Sequence, residues 1–164
     1  MTIKVTKPEI NIREKLNDLD FDKVPFQKMP AGSVVQVKSL VYATDTSFTS
    51  GTYADTGFSL AIAPSSTSSK IYVMWQSEMT VQGDSNFGMR LLRDSTEIYE
   101  PFVSAGNFGS SNQHGHSYSF NFLDAPSTIS AITYTVQLKE NSSSTVRCPA
   151  EGGDGTITLM EIAQ

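Results

Sequence analysis

From Gly32 onward, apolar and polar residues alternate in short runs that are separated by clusters of Ser, Gly, Asn and Asp. Alternation with a period of two is typical of strands that bury one face, and such clusters typically form turns. The pattern predicts eight strands, at residues 34–42, 57–63, 70–76, 87–92, 97–102, 117–122, 133–139 and 155–162. Weaker candidates lie near residues 45–53 and 144–148.

Eight short strands with frequent turn signals favour an all-β fold, an antiparallel jelly-roll-like sandwich. A parallel sheet would need crossover helices, and no helical period is found in this part of the chain. Residues 70–76 form a nearly continuous apolar run, which predicts a strand that is buried on both faces. Trp75 lies within this run and is therefore expected to pack in the core.

The first 31 residues differ from the rest and predict an N-terminal arm followed by a body at 32–164. The arm is rich in Lys, Asp and Glu and contains three prolines. Asn11 can act as a helix N-cap, and Glu14 lies three residues later, as in a capping box. We therefore expect one short helix at about residues 12–20.

Apolar residues of this helix fall on one face, at Ile12, Leu16 and Leu19. A helix of two to three turns is marginal in water, so this stripe needs a surface to pack on. The surface is either the body of the same chain or another protein. The prolines between helix and body favour docking on another protein or on sister copies.

Charge and composition exclude several classes of protein. The 164 residues carry a formal net charge of -5, with six basic and five acidic residues in 1–30 and six basic and twelve acidic residues in 31–164. Binding to nucleic acid needs clustered Lys and Arg, so we expect no nucleic-acid partner. No apolar run is long enough for a membrane span, and no secretory signal follows Met1. The single cysteine, Cys148, excludes an intrachain disulfide and is expected to pack as a small apolar residue.

Motifs of enzyme active sites are missing, so we expect no enzymatic activity. The sequence has no nucleophile elbow, phosphate-binding loop, dinucleotide fingerprint or Cys-x-x-Cys pair. A hydrolase of host polysaccharide stays open as an alternative, because such an enzyme needs two carboxylates beside a groove. The sequence cannot place the candidate acids in space: Asp45, Asp55, Glu78, Asp84, Glu97 and Glu100.

His114 and His116 are the only histidines. In an extended chain they point to the same side, where two imidazoles could bind one metal ion. Two ligands are too few, but three copies around a three-fold axis would supply six nitrogens for a transition metal. The surrounding sequence predicts instead a long polar loop at 104–117, where histidines are usually solvated, and no cofactor is otherwise expected.

The same loop is a candidate receptor-facing surface. Long Gly, Asn and Ser loops on a rigid β scaffold often carry binding residues, although simple flexibility explains them equally well. The residues expected to face a receptor are Asn107, Phe108, Asn112 and Gln113.

Two parts of the chain resemble virion proteins of marine tailed bacteriophages. Residues 3–20 resemble an N-terminal segment shared by several of their structural proteins. The body resembles the β domain that ends many of their fibres, at residues 32–37, 64–71, 90–96, 122–128 and 157–162. The chain departs from long fibres because it has no shaft, coiled-coil heptads or collagen-like repeat between arm and body.

This resemblance implies a virion protein that is assembled in the host cytoplasm. It implies a homotrimer of β bodies, whose arm binds other virion proteins through Ile12, Leu16 and Leu19. The function expected is that of a short tail fibre or appendage that presents its body to a glycan or protein of the host surface. The alternative is a trimeric decoration or cement protein of the capsid.

Overall fold

The computed structural model describes residues 29–82, 86–105, 113–142 and 144–164, which are all-β and contain no α-helix. Ten strands follow one another along the chain: β1 (Val34–Tyr42), β2 (Ser47–Phe48), β3 (Ala54–Ile62), β4 (Lys70–Gln82), β5 (Phe87–Arg93), β6 (Thr96–Ala105), β7 (Gln113–Asp124), β8 (Ile132–Glu140), β9 (Thr145–Arg147) and β10 (Gly155–Ile162).

Each of the eight strands expected from the sequence is present, and both weaker candidates form short strands. The bounds predicted for β1 and β10 are correct. The helix expected at 12–20, with Ile12, Leu16 and Leu19, lies outside the described residues.

The strands form two antiparallel sheets. In sheet A the order is β1-β10-β4-β7, and the short strand β9 continues beside the end of β4 and pairs with β2. In sheet B the order is β3-β8-β5-β6. Strands that are consecutive in sequence mostly lie in different sheets, so most loops cross from one layer to the other, as in a jelly roll. The fold class predicted from the sequence is confirmed.

The core lies between the two sheets and is centred on aromatic rings. Trp75 is 1% exposed; its ring stacks on Phe120 with centroids 5.4 Å apart and meets Phe58 edge-on at 5.7 Å. Cys148 is also fully buried, and burial raises the pKa of its thiol to about 12 against a smaller opposing effect of a hydrogen bond with Ser77. The predicted core positions of Trp75 and Cys148 are therefore confirmed.

The prediction that residues 70–76 are buried on both faces is wrong. β4 alternates along its length, with Ile71, Val73 and Trp75 pointing into the core and Tyr72 and Met74 half-buried on the outer side. The strand has neighbours on both edges, but no layer formed by the described residues covers the outer face of sheet A. Core packing within the described residues therefore does not explain why Tyr72 and Met74 on the outer side are apolar.

A bulge in β3 depends on glycine. Gly57 has a φ of +91°, and a Cβ atom at this position would lie 2.2 Å from a ring carbon of Tyr42. Only glycine combines this backbone conformation with such a close approach. It lets the ring of Tyr42 pack edge-on against Phe58, with 5.4 Å between the centroids.

A buried carboxylate joins the end of β10 to the loop between β3 and β4. Glu161 is inaccessible to solvent, and its oxygens accept hydrogen bonds from the side chains of Gln36 and Ser69 at 2.6 Å each, and from the backbone N–H of Ser65 at 2.6 Å. Burial by itself raises the pKa of Glu161, but these hydrogen bonds outweigh it and leave the pKa below its ordinary value. The ionised form is therefore favoured in the folded chain.

This network predicts a pH dependence of stability. Because the folded state lowers the pKa of Glu161, its contribution is complete above the ordinary value of 4.5 and is lost as the pH falls below it. We expect Glu161→Gln to lower the free energy of unfolding at pH 7 by about 1–3 kcal/mol and to flatten its decline in acid. Urea titrations from pH 3 to 7 measure both effects. Glu151→Gln, at a carboxylate that is 83% exposed, is the control, and equal acid profiles for wild type and Glu161→Gln contradict the assignment.

Candidate functional site

His114 and His116 lie in a strand and not in a loop. Both are in β7, where they pair with Val81 and Met79 of β4. Since Met79 and Val81 point into the sandwich, the two imidazoles also lie on the inner face of sheet A. Their ring centroids are 6.4 Å apart, and the ring of His116 lies 6.2 Å from that of Tyr118.

The loop predicted at 104–117 is thus too long at both ends. β6 continues to Ala105 through its pairing with β5, and β7 starts at Gln113 through its pairing with β4, so both strands extend further than the alternation of apolar residues. Gln113 is exposed and pairs with Gln82, whereas Asn107, Phe108 and Asn112 lie outside the described residues. The receptor-facing role of these four residues stays a prediction.

The metal site also stays a prediction. Within the described ranges, no group of three or more His, Cys, Asp and Glu side chains could hold a metal ion. One chain offers two imidazoles on the inner face of β7. A three-fold axis that brings six of them together would have to run along the β6 and β7 side of the sandwich.

An aromatic cluster fills this same side of the sandwich, between the edge strands β6 and β7. Tyr99 of β6 stacks on Phe122 of β7 with 4.9 Å between centroids, and Phe102 of β6 meets Tyr118 of β7 edge-on at 5.8 Å. Burial increases along β7 from His116, which is exposed, through Tyr118, which is half-buried, to Phe120, which is buried. The cluster therefore fixes the two strands that bound residues 106–112.

Polar contacts join the other end of β7 to sheet B. Both carboxylate oxygens of Asp124 accept hydrogen bonds from Arg93 at 2.9 Å, and one accepts a hydrogen bond from Tyr134 at 2.6 Å. Burial, followed by this bond, raises the pKa of Tyr134. Sequence reasoning missed this network, because the three residues are distant in the chain and carry no recognisable spacing.

The outer face of sheet B is charged and crossed by a chain of side-chain hydrogen bonds. Arg90 donates to Gln137 at 2.8 Å and to Glu97 at 3.0 Å, and Gln137 donates to Asp55 at 2.7 Å. These four residues come from four neighbouring strands. Charged groups whose partners lie in the same chain are typical of a face in contact with water.

Tyr53 extends this charged face. Arg90 and Lys139 both lie over its ring, at 4.2 and 4.5 Å from the centroid, and its hydroxyl donates to Glu100 at 2.5 Å. Burial and then the bond to Glu100 raise the pKa of Tyr53. Of the acids considered for a hydrolase, Asp55, Glu97 and Glu100 are thus held by partners on this face, and Asp45 pairs with Arg147 at 2.5 Å.

The outer face of sheet A is different, because strand pairing places its outward residues in three uncharged rows. Each row crosses β1, β10, β4 and β7 in that order. The rows are Val37–Met160–Tyr72–Leu123, Ser39–Thr158–Met74–Asn121 and Val41–Thr156–Gln76–Ser119. We call these three rows the uncharged face.

Exposed apolar side chains concentrate on this side of the molecule. Val37, Val41 and Leu123 of the uncharged face are 55%, 61% and 50% exposed. Val34, which pairs with Ile162 just beyond the first row, is 49% exposed. Among the described residues, the one other large apolar side chain of comparable exposure is Ile129, in the loop before β8. Exposed apolar side chains that concentrate on one face make that face a candidate interaction surface.

No helix among the described residues is both long and apolar enough to cross a membrane.

Comparisons with known proteins give little beyond the geometry. No protein-family model matches the chain, and no curated protein is similar to it in sequence. Among solved structures, it is similar to one described as infectious bursal disease virus Gt strain, with 14% identity, a TM-score of 0.46, and 82% of this chain and 39% of that chain covered. It is also similar to a structure described as infectious bursal disease virus Gx strain, with 14% identity, a TM-score of 0.43, and 78% of this chain and 40% of that chain covered. The chain thus spans about two fifths of these neighbours, and a likeness of this size carries no conclusion about its function.

The aromatic cluster generates a prediction about β6 and β7. We expect Tyr99→Ala to lower the free energy of unfolding by about 2 kcal/mol, because it removes a half-buried ring stacked on Phe122. Amide hydrogen exchange of β6 and β7 should rise more than that of β10, as edge strands held by this contact open locally. Ile129→Ala is the control at an exposed apolar residue. A uniform rise across all strands would contradict the local role.

Proposed function

We propose that this chain is a non-enzymatic structural protein of a bacteriophage virion, a short trimeric tail fibre or appendage. The observation that carries the proposal is the contrast between the two outer faces of the sandwich. Sheet B satisfies its charges within the chain, whereas sheet A presents apolar, hydroxyl and amide side chains without any charge in three rows. A subunit that is buried on one side and solvated on the other suits an assembled particle.

The arm supplies the attachment to the particle in this proposal. Ile12, Leu16 and Leu19 dock on another virion protein, and the prolines separate this docking helix from the body. The support comes from the sequence pattern and from the resemblance of residues 3–20 to segments of phage structural proteins. The arm also differs from the body in charge, with six basic and five acidic residues in 1–30 and six basic and twelve acidic residues in 31–164, which marks a boundary between them.

Host recognition is assigned to the end of the sandwich between β6 and β7. The aromatic cluster of Tyr99, Phe102, Tyr118 and Phe122 gives the connecting residues a rigid base. Asn107, Phe108, Asn112 and Gln113 then offer amides and an aromatic ring, which are groups that contact sugars or protein loops. A surface glycan or protein of the host is the ligand proposed.

A capsid decoration or cement protein is the second candidate. It is favoured by the small size of the chain and by the direct passage from residue 33 into β1, which leaves no shaft between arm and body. Such a trimer would use the same uncharged face and the same arm, but would cover the head in many copies.

Location on the particle separates the two candidates. We expect antibody-gold labelling of intact virions to mark the tail at a few sites, as an appendage requires. Labelling across the head identifies a decoration protein instead. Absence of the chain from purified virions by mass spectrometry contradicts both.

The docking role of the arm has its own test. We expect deletion of residues 1–30 to leave a body with the circular dichroism of a folded β protein but to remove it from assembled particles. Leu16→Asp, which places a charge in the apolar stripe, should reduce incorporation at least about tenfold. Lys15→Asp, next to the stripe, is the matched control. Normal incorporation of the deleted chain overturns the docking role.

A further inference from the structure

We propose that the uncharged face of sheet A packs against the same face of the other copies of this chain around a three-fold axis, with the strands of all copies parallel to that axis. This inference rests on the proposed function, in which copies of the body form a homotrimer. It adds the surface that joins them and the alignment of that surface.

Charge is the reason for choosing a second copy as the occupant. Residues 31–164 carry six basic and twelve acidic side chains, so two bodies repel one another over most of their surfaces. The three rows of the uncharged face contain no carboxylate, and the nearest outward charges on β4 are Lys70 at one end and Glu78 at the other. Two copies can therefore approach through this face without bringing acidic groups opposite one another.

The order of the rows is the reason for a parallel alignment. When the strands of both copies run in the same direction, Val37–Met160–Tyr72–Leu123 meets its own counterpart, and apolar side chains cover apolar side chains. The rows of Ser39 and Val41 likewise meet rows of hydroxyl and amide groups that can hydrogen-bond across the interface. An antiparallel alignment about the middle row would instead set the apolar row against Gln76 and Ser119.

Substitutions that introduce charge test whether the uncharged face binds another copy of this chain. We expect the wild-type body to sediment as an oligomer at about 10 µM, and Val37→Glu/Leu123→Glu to sediment as a folded monomer, with a dissociation constant raised at least about tenfold. Both residues are half-exposed in one chain, so the fold tolerates the change. Ile129→Glu, at the exposed apolar residue outside the face, should stay oligomeric. A monomeric wild type, or an oligomeric double variant, overturns the proposal.

Cross-linking tests the alignment. Thr156→Cys should link to the same residue of a second copy with a short bismaleimide, because Thr156 lies off the middle row and meets its own row only in parallel alignment. Thr135→Cys, on the outer face of sheet B, should not link, and the native Cys148 is buried and gives little background. An oligomer without the Thr156→Cys link overturns the parallel arrangement.

These results are separable from the proposed function. An oligomer joined through this face that is absent from purified virions retains the inference and removes the virion role. A chain that is present in virions while its body stays monomeric retains the virion role and removes the inference.

Discussion

The contact between the inner faces of the two sheets, where Trp75 of sheet A meets Phe58 of sheet B edge-on, determines the direction of every other strand side chain. Side chains alternate between the two faces of a strand, so burying one set in the core fixes the other set on the outside. Packing of the core does not determine which residue types lie on the outer faces. The outward side chains of sheet B are charged and bind partners in the same chain, whereas those of sheet A are uncharged and partly apolar.

This asymmetry links the fold to its proposed role. A single sandwich covers two of its four sheet faces, and a solvated outer face normally carries charge. The outer apolar positions of β4, such as Tyr72 and Met74, contribute nothing to the core of one chain. They stabilise the protein only when another surface covers them, as happens to a subunit in an assembled particle.

Much of the fold follows from the sequence, because strands are local and their alternation is visible in one dimension. The bounds of β1 and β10 and the core position of Trp75 were predictable for this reason. Strand order was not, since the pairing of β1 with β10 joins residues more than a hundred positions apart. The uncharged face is formed by that pairing, which the sequence does not show. The apolar run at 70–76 therefore predicts burial on both faces, although its outer residues belong to the uncharged face. The start of β7 was missed because its polar residues gain their strand conformation from β4.

A cryo-EM reconstruction of the intact particle with this chain traced tests the account most directly. The account predicts copies of the body around a common axis at the tail, with the outer faces of sheet A turned toward one another and those of sheet B toward solvent. Bodies that stand singly, with Val37, Tyr72 and Leu123 in contact with water alone, would contradict it.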